Sequence, residues 1–349
     1  IGDLGNIGLS GTLDQVVGAE GHQIPTLAFA MFQLTFAIIT VALLSGAIAD
    51  RAKYGSWVLF VAAWVTLVYI PVAHWAFASQ SGSGGWIIDK LGALDFAGGT
   101  VVEINSGAAA LALAIVLGKR DGFRRDPMRP HNMPLVLLGA GMLWFGWFGF
   151  NAGSALSAGS LAATAMINTQ ICTAAAAMSW VLLERFRDGK ATTLGIASGA
   201  IAGAVAITPA CGYVNPLGAL VIGLIAGALS AFAVSRKYKW GYDDSLDVVG
   251  VHGMGGLLGM LAIGFLATTT ANSAGGLGLL NGGGTDLLGK QSVAILATAA
   301  FSFTATWLIA TIISKTIGFR ASREDELTGL DTTYHAESAY DISGNANRY

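Results

Sequence analysis

Nine apolar stretches, at roughly 25–49, 55–77, 97–118, 132–152, 157–183, 193–210, 214–234, 248–270 and 291–317, constrain this chain more than anything else in it. Each lies near or above the ~20 residues that an α-helix needs to cross the hydrocarbon of a bilayer. Inside that layer no water is available to the backbone, so a spanning segment must bond its own N–H and C=O groups, as a helix does. Only 11% of the residues are charged and 54% are hydrophobic. A soluble domain carries about 25% charged residues. The expected class is an all-α polytopic membrane protein, with the lipid bilayer as its first partner.

The basic residues are unevenly placed between the spans. Taking alternate connections together with the C-terminal tail, 17 Lys and Arg fall on one side and only Lys90 and Lys290 on the other. Cytoplasmic loops collect positive charge. This bias predicts a multi-pass protein of the cytoplasmic membrane with residue 1 outside and the tail inside. The organisation expected is an extracytoplasmic lead-in (1–23), a transmembrane domain (24–318) and a cytoplasmic tail (319–349). The tail is polar and too short for a domain, and by composition alone it also fits an unordered end.

Several functions are excluded. The net charge is −2, and no basic cluster suits nucleic acid. Cys172 and Cys211 supply neither a disulfide framework nor a metal spacing, so no metal or cofactor is expected. No nucleophile–base constellation is present, which argues against an enzyme. A metal-ion channel would need an acidic ring that no span carries.

One carboxylate lies inside an apolar run. Glu103 sits in Asp95-Phe96-Ala97-Gly98-Gly99-Thr100-Val101-Val102-Glu103-Ile104-Asn105-Ser106-Gly107. An ionised side chain in hydrocarbon costs at least ~2.5 kcal/mol, so it should face a partner or a pore. The candidate partner is His252, in the Gly-rich stretch Val248-Val249-Gly250-Val251-His252-Gly253-Met254-Gly255-Gly256. Asp95 precedes the first helix and Asp247 the second, and by the loop parity the two helices enter from opposite sides. Two like helices of opposite direction are what an inverted repeat produces, with a site at the midplane. The spacings to Glu103 and His252 are unequal, eight residues against five. A purely structural ion pair between two helices is the competing reading.

These residues resemble the ammonium transporter (Amt/Mep/Rh) family, on the Amt side. The matching blocks are Asp95 through Val102, Gly146-Trp147-Phe148-Gly149-Phe150-Asn151-Ala152-Gly153-Ser154, Thr208-Pro209-Ala210-Cys211-Gly212-Tyr213, and Asp247 through Gly253. The tail adds Gly329-Leu330-Asp331 and His335-Ala336-Glu337-Ser338-Ala339-Tyr340. The resemblance implies a trimer of inverted-repeat helical bundles with eleven spans and one pore per subunit. Nine of the eleven are visible, and the first, with Phe32-Gln33-Leu34-Thr35-Phe36, resembles the family's third. Two preceding helices are therefore expected to be missing from this sequence.

By the same resemblance ammonium or ammonia is the substrate. Recruitment of the cation falls to Ser154, Phe36 and Asp95, with an aromatic partner that is Phe77 or Trp86. Phe36 and Phe150 form the gate, and Phe32 and Trp147 line the pore. Glu103 and His252 form the proton relay. The family's usual pore has two histidines, and Glu103 replaces the first, as an acid does in some fungal members. Gly329, Asp331, His335, Glu337 and Tyr340 belong to the regulatory tail, whose partner in the family is a PII-type signal protein at the cytoplasmic face. A sensor that signals through its tail is the alternative function.

Overall fold

The computed structural model describes residues 4–18, 23–78, 84–126, 128–338 and 340. Parts of the expected lead-in (1–3, 19–22) and of the expected tail (339, 341–349) lie outside the described residues, as do residues 79–83 of the Gly/Ser-rich insert. Among the described residues eight helices are long and apolar enough to cross a membrane, and a shorter ninth, Thr193–Ile207, packs among them. In chain order they are α1 (Thr26–Ala47), α2 (Tyr54–Phe77), α3 (Gly99–Leu117), α4 (Met133–Gly153), α5 (Ser160–Asp188), α6 (Thr193–Ile207), α7 (Pro216–Trp240), α8 (Val249–Leu266) and α9 (Asp286–Thr316). A further short helix, α10 (Arg323–Thr328), begins the tail. The only described strands are the two-residue pair Val16–Val17 and Ile24–Pro25, just before α1.

Local signals set most helix ends. Asn132 and Asn215 each accept a hydrogen bond from the backbone N–H three residues on, and a proline follows at the first helical turn. That pairing satisfies a terminal donor while using the residue that has no N–H to satisfy. The helices α5 and α7 run past their apolar stretches to Asp188 and Trp240, and Gly189 and Gly241 end them in left-handed conformation. Hydropathy marks the part of a helix fit for lipid, and polar turns continue the coil beyond it. Conversely α6 stops at Ile207, because Thr208-Pro209 breaks the run.

The bundle closes around α3 and α8. Nearly every residue of α3 is buried, and it packs against α1, α9 and the opening turns of α8. The outermost helix, α4, buries only Trp147 and Asn151 and leaves Phe145, Met142 and Leu138 exposed. An apolar exterior of this kind suits hydrocarbon and would be an aggregation surface in water. The chain is a polytopic helical membrane protein.

Candidate functional site

The two most buried of the eight long helices share an unusual start. Residues Gly99–Ile104 of α3 and Val249–Gly253 of α8 form π-helical turns, each followed by regular α-helix. Such turns admit one extra residue per turn and re-aim the side chains they carry. Glu103 lies in one turn and His252 in the other. Their side chains meet, with Nδ1 of His252 2.7 Å from Oε2 of Glu103. The Glu103 side chain is fully buried and that of His252 is 8% exposed. Oε1 of Glu103 has no hydrogen-bond partner among the described residues.

Close backbone approach makes this contact possible, and glycine makes the approach possible. A Cβ on Gly107 would lie 2.2 Å from Cα of Gly253, and one on Gly256 would lie 2.6 Å from Cβ of Glu103. Each glycine stands four residues beyond a member of the pair and packs on or beside the other member. The arrangement is that of a two-fold relation between α3 and α8, as an inverted repeat requires.

Asp95 holds the start of α3. Its carboxylate accepts from the N–H groups of Gly98, Gly99 and Thr100 at 2.8, 2.7 and 2.7 Å, and from the Thr100 hydroxyl. Negative charge at a helix start complements the exposed donors and the dipole. The counterpart on α8 differs from the sequence expectation. Asp247 bonds Lys237 instead, and it is Asp244 whose Oδ2 accepts from Val249 N at 2.7 Å. Asp244 precedes His252 by eight residues, the spacing that separates Asp95 from Glu103. Equal spacing was the signal that could have identified it.

A run of aromatic rings lies beside the Asp95 end of α3. Phe36 meets Phe32, Phe77 and Phe150 with ring centroids 4.9, 6.0 and 4.6 Å apart, and Phe150 stacks on Trp147 at 5.3 Å. Phe77 also approaches the α3 start, with its Cζ 3.5 Å from where a Cβ on Gly98 would stand. Trp86 instead packs on Trp75 at 5.7 Å, and Trp75 packs on Phe301 of α9. Of the two aromatic candidates, Phe77 touches Phe36 and Trp86 lies in another ring group. Ser154 is half-buried at the end of α4, where its hydroxyl donates to the Phe150 carbonyl at 2.7 Å and its lone pairs stay available.

Two supports had no role expected from the sequence, although Thr208 opens one of the matching blocks. Thr208 accepts from the indole N–H of Trp147 at 2.8 Å and so fixes that ring. The Asn168 amide donates to the carbonyls of Cys211 and Val214 and closes the loop after α6. Among the described residues no group of three or more His, Cys, Asp or Glu side chains could hold a metal ion.

The tail is built onto the opposite end of the bundle. Lys53 N donates to Phe319 O and Ala321 N to Arg51 O, both at 2.9 Å, and Ser56 donates to Gly318 O. Arg320 pairs with Glu326 of α10 at 2.6 Å and reaches the Leu117 carbonyl at the end of α3. Gly329 has a φ of 105°, a turn conformation that favours glycine. Asp331 O accepts from Glu337 N, closing the next turn. His335 meets the Tyr54 ring at 4.8 Å, and the Tyr340 hydroxyl bonds His131 and Asn132.

Comparison with known proteins matches residues 4–340 to the Ammonium Transporter Family. An ammonium transporter of Mycobacterium tuberculosis is 54% identical over 346 residues, 97% of this chain and 70% of that protein. The crystal structure of Candida albicans Mep2 superposes with a TM-score of 0.80 at 36% identity, over 86% of this chain and 68% of that one. A solved structure titled Sensor Amt Protein gives a TM-score of 0.81 at 32% identity, over 89% of this chain and 77% of that one. With its paired π-turns, buried acid–histidine contact and aromatic run, this chain belongs to the ammonium transporter family.

Proposed function

We propose that this protein carries ammonium across the cytoplasmic membrane by separating the cation into ammonia and a proton. The observation that carries this reading is the 2.7 Å contact between Glu103 and His252, two titratable groups buried side by side on apolar helices. Ammonium has the charge and size of potassium, so a path that strips it to neutral NH3 rejects metal ions by chemistry. The cation is drawn to the Asp95 end by the faces of Phe36 and Phe77, each worth about 0.5–2 kcal/mol, and by the Ser154 hydroxyl. One N–H bond breaks, the proton joins the Glu103–His252 pair, and NH3 passes between Phe36 and Phe150 along a path lined by Phe32 and Trp147.

The pair holds one mobile proton in two forms, carboxylate with imidazolium or neutral acid with imidazole, and its titration belongs to both residues. The unpartnered Oε1 of Glu103 is the atom free to take or release that proton. The distribution of 17 basic residues against 2 supports an inside tail and an outside recruitment end. Assembly as a homotrimer with a PII-type protein at the tail completes the reading. The likeness to a sensor favours one alternative, in which the same fold detects ammonium without moving it.

Reconstituted vesicles test this by ammonium-evoked current and methylammonium uptake over roughly pH 5–8, which brackets an ordinary His. Glu103→Leu strands His252, and an unpaired buried charge is worse than no pair. The single change should therefore reduce transport about as far as Glu103→Leu with His252→Leu. Glu103→His should keep activity with an altered pH profile and altered exclusion of potassium. Glu103→Leu indistinguishable from the parent would reject the relay, and a parent without flux would favour the sensor.

A further inference from the structure

Asp244 has no part in the reading above, yet it is built like Asp95. It stands eight residues before His252, and Asp95 stands eight before Glu103. Its Oδ2 accepts from Val249 N, five residues on, at 2.7 Å. Oδ2 of Asp95 accepts from Thr100 N, also five residues on and also at 2.7 Å. Both bonds land on the opening of a π-helical turn that carries half of the titratable pair.

The two carboxylates differ in one respect. Both oxygens of Asp95 are bonded to the α3 start. Oδ1 of Asp244 is buried and has no partner among the described residues. We propose that Asp244 is a positioning residue for the Glu103–His252 pair, holding the opening turn of α8 so that Nδ1 of His252 meets Glu103, and biasing His252 by its charge. The proposal rests on the transport reading and adds a residue to it.

Burial, and then the neighbouring Asp247, push the Asp244 carboxyl up to about 6. The other charged or titratable groups around it are Asp243, Lys237, whose Nζ donates to the Asp244 carbonyl, Arg51 of the first loop, and Tyr242. A proton added to this carboxyl goes to Oδ1 and leaves the Oδ2 bond to Val249 intact. Below about pH 6 the turn is therefore held by a neutral acid. Above it a negative charge stands at the start of the helix and favours a cationic imidazole two turns on. Transport should inflect near this pH because of Asp244.

The experiment compares the parent with Asp244→Asn, Asp244→Ala and Asp247→Asn in vesicles across roughly pH 5–8. Asn keeps an acceptor for Val249 N but cannot titrate. Its current should persist while the inflection near pH 6 disappears. Ala removes the acceptor, and the loss of a helix cap corresponds to roughly a tenfold fall. Asp247→Asn should keep an inflection but move it to lower pH, because the Asp247 charge helps to raise the Asp244 carboxyl. In parallel, histidine-selective 15N NMR should show the His252 ring signals displaced in Asp244→Asn, a readout that needs no transport. An Asn variant with the parent's pH profile and an unmoved His252 overturns the proposal, as does an Ala variant matching the parent in current and profile. If Ala does not reach the vesicles, the Asn profile and the His252 signals decide. Displaced His252 signals in a protein that passes no current would fault the transport reading alone.

Discussion

Phe36 touches three other aromatic rings, and the choice of those rings sets what a cation would meet at the Asp95 end. Phe77 is one of them, 6.0 Å away, whereas Trp86 packs on Trp75. The face of Phe77 can therefore act together with Phe36, and that of Trp86 cannot. Phe77→Leu should weaken the apparent affinity for methylammonium several-fold, in line with a lost cation–π term of about 0.5–2 kcal/mol, and change the maximal rate less. Trp86→Leu should leave the affinity within about twofold of the parent, because that ring packs on Trp75 rather than on Phe36 and so adds little to that term. Uptake kinetics at matched membrane levels check both. The reverse order would move the recruitment site to Trp86. Sequence spacing could not separate these two residues, since Phe77 and Trp86 flank a Gly/Ser-rich insert whose path no local rule predicts.

The elements α3 and α8 meet through their glycines rather than through side chains. Gly107→Ala would put a methyl 2.2 Å from a backbone atom, where no rotamer can relieve it. Overpacking of this kind costs about 1–3 kcal/mol when the structure can shift, and here the shift would pull His252 from Glu103. Transport should fall at least about tenfold for a displacement costing 1.4 kcal/mol of barrier, while Gly139→Ala, with nothing within 4 Å of its Cβ, should be silent. Equal activity in the two variants would show that helix separation does not control the pair. At this scale much was legible beforehand. The nine helical segments follow from hydropathy, because a bilayer leaves few alternatives to a helix. The acid and the histidine stand out because they are rare in apolar runs. The π-turns were not legible, since nothing in Gly99-Thr100-Val101-Val102-Glu103 announces an extra residue per turn. Asp244, by contrast, was legible, because its eight-residue spacing to His252 equals that of Asp95 to Glu103.

Across the whole molecule, the tail joins parts that are far apart in sequence. Its polar composition fits an unordered end as well as a folded one, and what fixes it is backbone pairing with the first loop at Arg51 and Lys53. From there it reaches the end of α3 through Arg320 and the loop before α4 through Tyr340. Arg51, fully buried, also donates to Ser245 at 2.7 Å and to the carbonyls of Ala47 and Asp243. Arg120, just beyond α3, pairs with the Asp243 carboxylate. The tail is thus bonded to one end of α3 and, through Arg51, to the segment leading into α8. Removing residues 329–349 would delete the His335–Tyr54 and Tyr340–His131 contacts but spare Arg320, Glu326 and the backbone pairing at Arg51. The bundle should therefore reach the membrane at parent levels. Transport should nonetheless change in rate, because the loops at both ends of the tail lose a common tie, and a PII-type protein should no longer be retained in pull-down. Full retention together with unchanged flux would separate residues 329–349 from both docking and control.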